Sequence, residues 1–278
     1  MTPRLEPDFA ASHPFLSHPY PTPFAHRGGT EAGPENTLRA FQAAYALGFR
    51  WMETDVHCTS DGVLVAVHDA TLGRVAGADV RIADVSWREL QAIDLGGGCR
   101  VPTFASLVDN LPGARWNIEP KEAASVPPLV RFIRNRKLLD RVCVGSFSAS
   151  RLGNVRRALG AGLCTSMSPI EVVRLRVRSL GVPVPTAFHP CVRCVQLPVR
   201  QNGVVVTDAK LIRRAHAYGL HVHVWTIDEP AEMHRLLDLG VDGIMTDRPS
   251  VLKSVLVDRG QWFEPTAQPR AQAHFAVS

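Results

Sequence analysis

The stretch FRWMETDV, residues 49–56, has the composition of a buried β-strand and contains two acids near its end. Because side chains alternate between the two faces of a strand, Glu53 and Asp55 point to the same face. Neighbouring carboxylates repel each other when both are charged, whereas a hard divalent ion such as Mg²⁺ or Ca²⁺ binds oxygen ligands of this kind. The stretch therefore suggests a metal site, with a pair of solvated surface acids as the alternative.

Similar strand-like runs recur along the chain and alternate with helical patterns. The runs are 24–26, 51–56, 116–119, 142–146, 163–166, 192–197, 221–226 and 243–246, and the helical patterns cover 37–47, 104–110, 126–136, 148–159, 169–180, 208–218 and 230–239. This alternation predicts an α/β fold, a (β/α)₈ TIM barrel, which typically needs about 250 residues.

The 278 residues leave room for additions to such a barrel. We predict an N-terminal extension over 1–20, the barrel domain over 21–260 and a loose C-terminal tail over 261–278, with disorder confined to the two ends. A glycine-containing insertion over about 71–100 follows the second barrel strand region. It is expected to form a loop with one short helix, close to His68 and placed to cover a substrate.

Two histidines end strand-like runs. His26 follows residues 21–25 and precedes a glycine pair that allows a sharp turn, and His68 ends the apolar run 63–67. Two imidazoles on opposite sides of a reacting group can take one proton and supply another near neutral pH, although a single strand-end histidine is more often structural. Arg27 adds a planar donor group suited to phosphate oxygens, with an ordinary surface ion pair as the alternative.

A third acid lies at a later strand end. Glu119 and Lys121 are two residues apart and share a face if the strand continues through Pro120. Proline lacks the N–H that a ladder needs, so Glu119 is expected at the carboxyl end of its strand, where barrel enzymes place their chemistry. Glu119 is therefore the third candidate metal ligand.

The polar motifs of the chain are His26-Arg27-Gly28, Glu35-Asn36-Thr37, Glu53-Thr54-Asp55-Val56, Thr59-x-Asp61-Gly62, His68-Asp69-x-Thr71-Leu72-x-Arg74 and Glu119-x-Lys121. In order and spacing they resemble those of the glycerophosphodiester phosphodiesterase family. The likeness is densest over residues 26–74, weaker through 101–104 and 117–121, and returns at 224–226 and 242–247. No family motif falls in about 151–200, where substrate preference is expected to reside.

This resemblance implies a metal-dependent phosphoric diester hydrolase that releases glycerol 3-phosphate and an alcohol. In the implied arrangement Glu53, Asp55 and Glu119 hold one divalent cation, Mg²⁺ or Ca²⁺, with Mn²⁺ as a further option. Arg27 and Lys121 then bind the substrate phosphate. His26 and His68 form the acid and base pair, and which residue takes which role stays open.

For Glu35 and Trp225, a structural role and a role in the site both stay open. Glu35 lies where a helix opens, with Asn36 or Thr37 as its cap; it either contributes to capping or braces the metal site as an outer partner or direct ligand. Trp225 lies in the alternating run 221–226. It either forms a wall of the substrate site or fills the core.

Composition places the chain among ordinary globular proteins, with 45% hydrophobic and 21% charged residues. No secretory signal or membrane span is evident, so the expected location is cytoplasmic and no stable membrane insertion is expected. We favour free thiols for the six cysteines over zinc or a disulfide at the close pair Cys191 and Cys194.

The formal charge of +5 could indicate an anionic partner. One basic cluster, at 131–137, is an ordinary solvated helix face without a nucleic-acid motif, so no nucleic-acid partner is expected. Arg174, Arg176 and Arg178 alternate with apolar residues, which fits a strand as well as a helix. That set is a candidate for weak contact with an anionic membrane surface. The expected partner is a small-molecule glycerophosphodiester, and nothing in the sequence specifies an oligomeric state.

Two alternatives to this function stay open. A lysophospholipase D or related phospholipase on the same barrel would need an apolar entrance for an acyl chain. A catalytically silent anion-binding barrel would have little use for two histidines, three acids and Arg27 together.

Overall fold

The computed structural model describes residues 13–185 and 187–264. Within these ranges the strands are β1 (Thr22–His26), β2 (Trp51–Cys58), β3 (Leu64–Ala66), β4 (Arg115–Pro120), β5 (Val142–Val144), β6 (Cys164–Ser166), β7 (Val192–Pro198), β8 (Arg200–Gln201), β9 (Val204–Val205), β10 (His221–Trp225) and β11 (Gly243–Thr246). The helices are α1 (Leu38–Ala46), α2 (Gly73–Ala76), α3 (Trp87–Leu90), α4 (Phe104–Asn110), α5 (Val126–Asn135), α6 (Ala149–Leu159), α7 (Pro169–Ser179), α8 (Ala209–His216), α9 (Pro230–Leu239) and α10 (Pro249–Asp258).

Eight parallel strands close into a barrel in the order β1, β2, β4, β5, β6, β7, β10, β11, and β11 pairs with β1. This confirms the predicted (β/α)₈ TIM barrel, and each of the eight predicted runs overlaps one barrel strand. Strand β3 pairs antiparallel with β2 outside the barrel, and β8 with β9 forms a small separate hairpin. Because all barrel strands run the same way, their carboxyl ends meet at one rim.

The helices pack against the outside of the barrel because each presents one apolar stripe to it. Helix α1, for example, buries Ala40, Phe41 and Ala44, and the Thr37 hydroxyl caps it by accepting from the N–H of Ala40 at 3.3 Å. Helix α10 was not predicted, although Pro249 in its first turn and apolar residues at helical spacing indicate it. The basic residues 174–178 lie on helix α7 rather than on a strand, and Arg176 pairs with Asp208 at 2.7 Å.

The predicted N-terminal extension is partly ordered, which corrects the expectation of disorder there. Residues Pro14–Leu16 form a 3-10 helix whose Phe15 and Leu16 are buried. The indole N–H of Trp51, at the start of β2, donates to the carbonyl of Phe15 at 2.7 Å. Phe15 and Leu16 therefore cover the amino-terminal end of the barrel, called here the floor. Their burial is favourable because leaving each side chain in water would cost about 1.5–3 kcal/mol.

The insertion forms more structure than the single short helix predicted. It contains α2, a 3-10 helix at Ile82–Asp84 and α3, and its apolar residues build a small core of their own with Val65 and Val67. Trp262, at the start of the predicted tail, packs on Phe49 with ring centroids 5.3 Å apart. The predicted segments 1–12 and 265–278 lie outside the described residues.

Among the described residues, no helix is both long enough and apolar enough to cross a membrane. The cytoplasmic location stays a prediction. All six cysteines are buried and none of them forms a disulfide.

Candidate active site

A cavity of about 720 Å³ opens at the carboxyl ends of the barrel strands. Its lining includes every predicted site residue except Glu35: His26, Arg27, Glu53, Asp55, His68, Glu119, Lys121 and Trp225. Residues that are up to about 200 positions apart in the chain meet there because parallel barrel strands end at one rim. The roles assigned to these residues stay predictions, but their common location does not depend on those roles.

The turn after β1 positions the first two of these residues. Gly28 has φ +82°, and a Cβ there would lie 2.8 Å from the backbone nitrogen of Phe41, so only glycine fits against helix α1. Arg27 itself has φ 51°, and its backbone N–H donates to the Glu53 carbonyl at 3.0 Å. The tight turn therefore aligns the end of β1 with the acids on β2.

His26 is held between two acids. Its Nδ1 lies 2.7 Å from Oδ1 of Asp247, and its Nε2 lies 3.8 Å from Oε2 of Glu53. Burial alone would lower the pKa of His26, but the hydrogen bond to Asp247 and the charge of Glu53 outweigh it and raise that pKa. Asp247 is held in turn by its backbone N–H, which donates to Asp228 at 2.8 Å.

His68, which also lines the cavity, is held by an aspartate in the same way. Its Nδ1 lies 2.7 Å from Oδ1 of Asp69, whose other oxygen accepts from Nε of Arg74 at 2.6 Å. Although partial burial opposes it, these two hydrogen bonds lower the pKa of Asp69. In both pairs the carboxylate holds Nδ1 and leaves Nε2 as the nitrogen for proton exchange.

Glu35 does not cap α1 and instead bridges two arginines. Its Oε1 accepts from Arg27 at 3.0 Å and from Arg74 at 2.6 Å. Burial opposes ionisation, but the two guanidinium groups lower the pKa of Glu35 below its usual value. Glu35 therefore connects the Arg27 side of the site with the Asp69–His68 pair.

The three candidate metal ligands are buried or partly buried, and two of them already contact cations of the chain. The Lys121 ammonium lies 3.2 Å from Asp55 and 3.1 Å from Glu119, and Nε of Arg27 lies 3.1 Å from Asp55. Burial and the charge of Asp55 raise the pKa of Glu53 to about 8. Glu53 therefore lies at a place that favours an added positive charge.

Several residues of the site were not selected from the sequence. The Asn36 amide donates to Asp55 at 3.4 Å and its oxygen accepts from the Thr54 hydroxyl at 2.8 Å. On the barrel interior, Gln196 donates to Asn117 at 3.0 Å, and both line the cavity. For Asn117 and Gln196, the alternation of polar residues along β4 and β7 was the sequence signal that could have identified them.

Much of the cavity lining is apolar. The Trp225 and Phe147 rings meet edge to face with centroids 5.9 Å apart, so Trp225 forms part of the wall. The other apolar lining residues are Met167, Pro169, Val172, Val173, Val177, Leu197, Pro198, Val206 and Met245. The lining includes no described residue of 71–100, so the prediction that the insertion covers the substrate site is wrong. Residues of α7 and of the β7–β9 segment line the cavity instead.

A closed parallel barrel with paired acid–histidine units, acids and cations at its carboxyl rim defines a TIM-barrel enzyme. The sequence profile of the "Glycerophosphoryl diester phosphodiesterase family" matches residues 26–251. The chain belongs to this family, whose members are phosphoric diester hydrolases.

Individual proteins agree with this placement. The chain is 40% identical over 251 residues to "Probable glycerophosphodiester phosphodiesterase 2" of Mycobacterium tuberculosis, covering 89% of this chain and 95% of that protein. It is 28% identical to "Lysophospholipase D GDPD1" of Mus musculus, covering 84% and 85%. The crystal structure of a putative glycerophosphoryl diester phosphodiesterase from Silicibacter pomeroyi superposes with a TM-score of 0.72 at 26% identity, covering 90% and 98%.

Proposed function

We propose that the protein hydrolyses glycerophosphodiesters to glycerol 3-phosphate and an alcohol. The main support is the meeting of two carboxylate-bound histidines with Arg27 and Lys121 in one cavity. Hydrolysis of a phosphodiester needs cationic groups that bind the phosphate, a base that activates the attacking hydroxyl and an acid that protonates the leaving oxygen. The named groups can supply all three.

In this proposal Arg27 and Lys121 bind the phosphate, and the two imidazoles exchange protons on either side of it. Glu35 limits the rotation of the Arg27 guanidinium, because one of its oxygens accepts from that group. Asp247 and Asp69 hold the tautomers of His26 and His68, so that Nε2 faces the reacting oxygens. One histidine activates the attacking hydroxyl or water and the other protonates the leaving alcohol.

We further propose that Glu53, Asp55 and Glu119 hold one divalent cation, Mg²⁺ or Ca²⁺, with Mn²⁺ as an alternative. The donors are the oxygen ligands that hard cations prefer, and the raised pKa of Glu53 marks a place that lacks positive charge. The bound ion would neutralise charge on the phosphate oxygens. Lys121 would then exchange part of its contact with Asp55 and Glu119 for the phosphate.

The affinity for the cation is expected to fall by about tenfold for each pH unit below about 8, because a proton on Glu53 competes with the metal. Above that pH, Glu53 is ionised and the affinity should level off. Calorimetric titration with Mg²⁺, Ca²⁺ and Mn²⁺ at pH values on both sides of 8 measures this. The Glu53→Gln variant should bind weakly with little pH dependence; wild-type affinity in that variant would remove Glu53 from the ligand set.

Release of glycerol 3-phosphate from glycerophosphocholine by the purified protein tests the function directly. We expect release with a divalent cation and its loss with EDTA. Absence of turnover with this and other glycerophosphodiesters, with each of the three metals, would favour the catalytically silent barrel instead. Turnover that is unaffected by EDTA would contradict the metal proposal and leave the hydrolase proposal standing.

The apolar part of the cavity lining favours lysophospholipids as a second class of substrate. Phe147 and Val173 line the cavity and are 66% and 55% exposed, so they form an apolar entrance from solvent. An acyl chain would be shielded from water there, which suits a lysophospholipid and a lysophospholipase D activity.

The double substitution of Phe147 and Val173 by serine is expected to lower kcat/KM for lysophosphatidylcholine by about tenfold or more, because apolar surface that an acyl chain buries against these side chains contributes roughly 25 cal/mol per Å². Turnover of glycerophosphocholine should stay close to wild type. Val257→Ser on α10 removes a valine that is 51% exposed and does not line the cavity, and it serves as the control. An equal loss on both substrates would assign the two residues to the fold or to the common glycerophosphate site.

A further inference from the structure

Four consecutive strands of the barrel place sulfur and imidazole groups in the barrel interior. Cys143 lies on β5, Cys164 on β6, Cys194 on β7 and His223 on β10, and these strands are neighbours in the sheet. All four side chains are fully buried. Barrel interiors are usually filled with branched apolar residues, so three thiols and an imidazole at one place are unusual contents.

The three sulfur atoms lie close together. Their Sγ atoms are all within 4.8 Å of one another, and those of Cys143 and Cys194 are 3.8 Å apart. Tetrahedral zinc has bonds to sulfur of about 2.3 Å, which place two thiolate ligands about 3.8 Å apart. The sulfur positions therefore match the spacing of a zinc–thiolate site.

His223 is a candidate fourth ligand whose nitrogens are not within 4.8 Å of all three sulfur atoms, so its ring would have to move toward them on metal binding. Its Nδ1 lies 3.5 Å from the Gln196 amide nitrogen, whereas its Nε2 has no hydrogen-bond partner among the described residues. An unsatisfied buried nitrogen costs about 1–3 kcal/mol. In the register of β10 and β7, His223 is paired with Gln196, two residues after Cys194.

The cluster is separate from the catalytic cavity. None of the four residues lines that cavity, and Phe15 and Leu16 pack on the three cysteines from the floor of the barrel. Cys191, the other member of the close pair in the sequence, lies outside the cluster and donates its thiol to the Gly160 carbonyl at 3.0 Å.

We propose that Cys143, Cys164 and Cys194, with Nε2 of His223, bind one Zn²⁺ as a structural site inside the barrel. Binding releases the thiol protons to solvent, so that three thiolates and one neutral imidazole surround the dication. The bound ion would stabilise together the four strands that supply its ligands.

The full-length protein, produced with zinc present and dialysed against EDTA, tests this proposal. We expect about one zinc per chain by mass spectrometry, retained in EDTA and released when a mercurial reagent titrates the thiols. Protein produced with Co²⁺ should show thiolate-to-cobalt charge-transfer absorption, which the carboxylates of the catalytic cavity cannot produce. Protein with neither retained metal nor this absorption would overturn the proposal.

Matched variants assign the ligands. Cys164→Ser should lose the cobalt absorption and bind zinc at least about a hundredfold more weakly, since it removes a direct ligand. Cys191→Ser removes a buried cysteine outside the cluster and should keep both. Retained absorption in folded Cys164→Ser, or its loss in Cys191→Ser, would contradict the assignment. If Cys164→Ser does not fold, the mercurial and cobalt measurements on the wild type still decide.

Discussion

Replacement of His26 by alanine is expected to lower kcat by about 10²–10⁴-fold, because positioned proton transfer typically contributes that much to the rate. His68→Ala should have an effect of similar size, since the two imidazoles act in one proton-exchange cycle. The double variant should then lose little more than either single variant. Steady-state release of glycerol 3-phosphate, with glycerophosphocholine as substrate, measures all three.

The chain provides a matched control for these variants. His216 lies 2.7 Å from Asp242, the same distance as in the two histidine–aspartate pairs of the site, but outside the cavity lining. His216→Ala should leave kcat close to wild type. A tenfold or smaller loss in both His26→Ala and His68→Ala would contradict acid–base catalysis by this pair. Additive losses in the double variant would mean that the two histidines act independently.

Replacement of Arg156 by methionine is expected to lower the free energy of unfolding by about 3–5 kcal/mol, because it leaves a buried carboxylate without its partner. Arg156 on α6 is buried, and its guanidinium donates to both oxygens of Glu171 on α7, at 3.1 and 3.0 Å. It also donates to the Thr165 hydroxyl and the Ser166 carbonyl. Urea unfolding of the wild type and the variant measures the difference.

Arg157→Met is the control for this substitution. Arg157 lies on the same helix, and its guanidinium contact with a side chain is to the neighbouring Asn154 at 3.0 Å, at the surface. Its loss should change the free energy of unfolding by less than about 0.5 kcal/mol. An equal loss of the free energy of unfolding in both variants would mean that the loss comes from a weakened helix α6 and not from the broken ion pair. Adding Glu171→Gln to Arg156→Met should recover part of the loss, since it removes the unpaired charge.

The contrast between predicted and observed elements has a physical basis. Strands such as β2 and helices such as α1 were predictable because apolar periodicity is local, and short runs of sequence specify it. Helix α10 carried the same signal and was overlooked. The floor formed by Phe15 and the small core of the insertion were not predicted, since they depend on which surfaces the closed barrel leaves uncovered.

The candidate site divides in the same way. The sequence could indicate that His26, Glu53 and Glu119 lie at strand ends, because residue order and strand period place them there. It could not show that Asp247 holds His26 from the far end of the chain, or that Glu35 joins two arginines instead of capping a helix. The first contact exists only after closure brings β11 beside β1, and the second only after the segment with Arg74 folds back onto the turn that follows β1.

By itself, the sequence determined the eight-stranded α/β alternation and the set of acids, bases and cations that the strand ends would display. Only the tertiary structure decided which of these groups neutralise each other, how far burial shifts their pKa values, and that three cysteines from separate strands meet inside the barrel. The reason is that periodicity and residue type are properties of neighbours along the chain, whereas charge pairing, burial and the register between strands are set by neighbours in space.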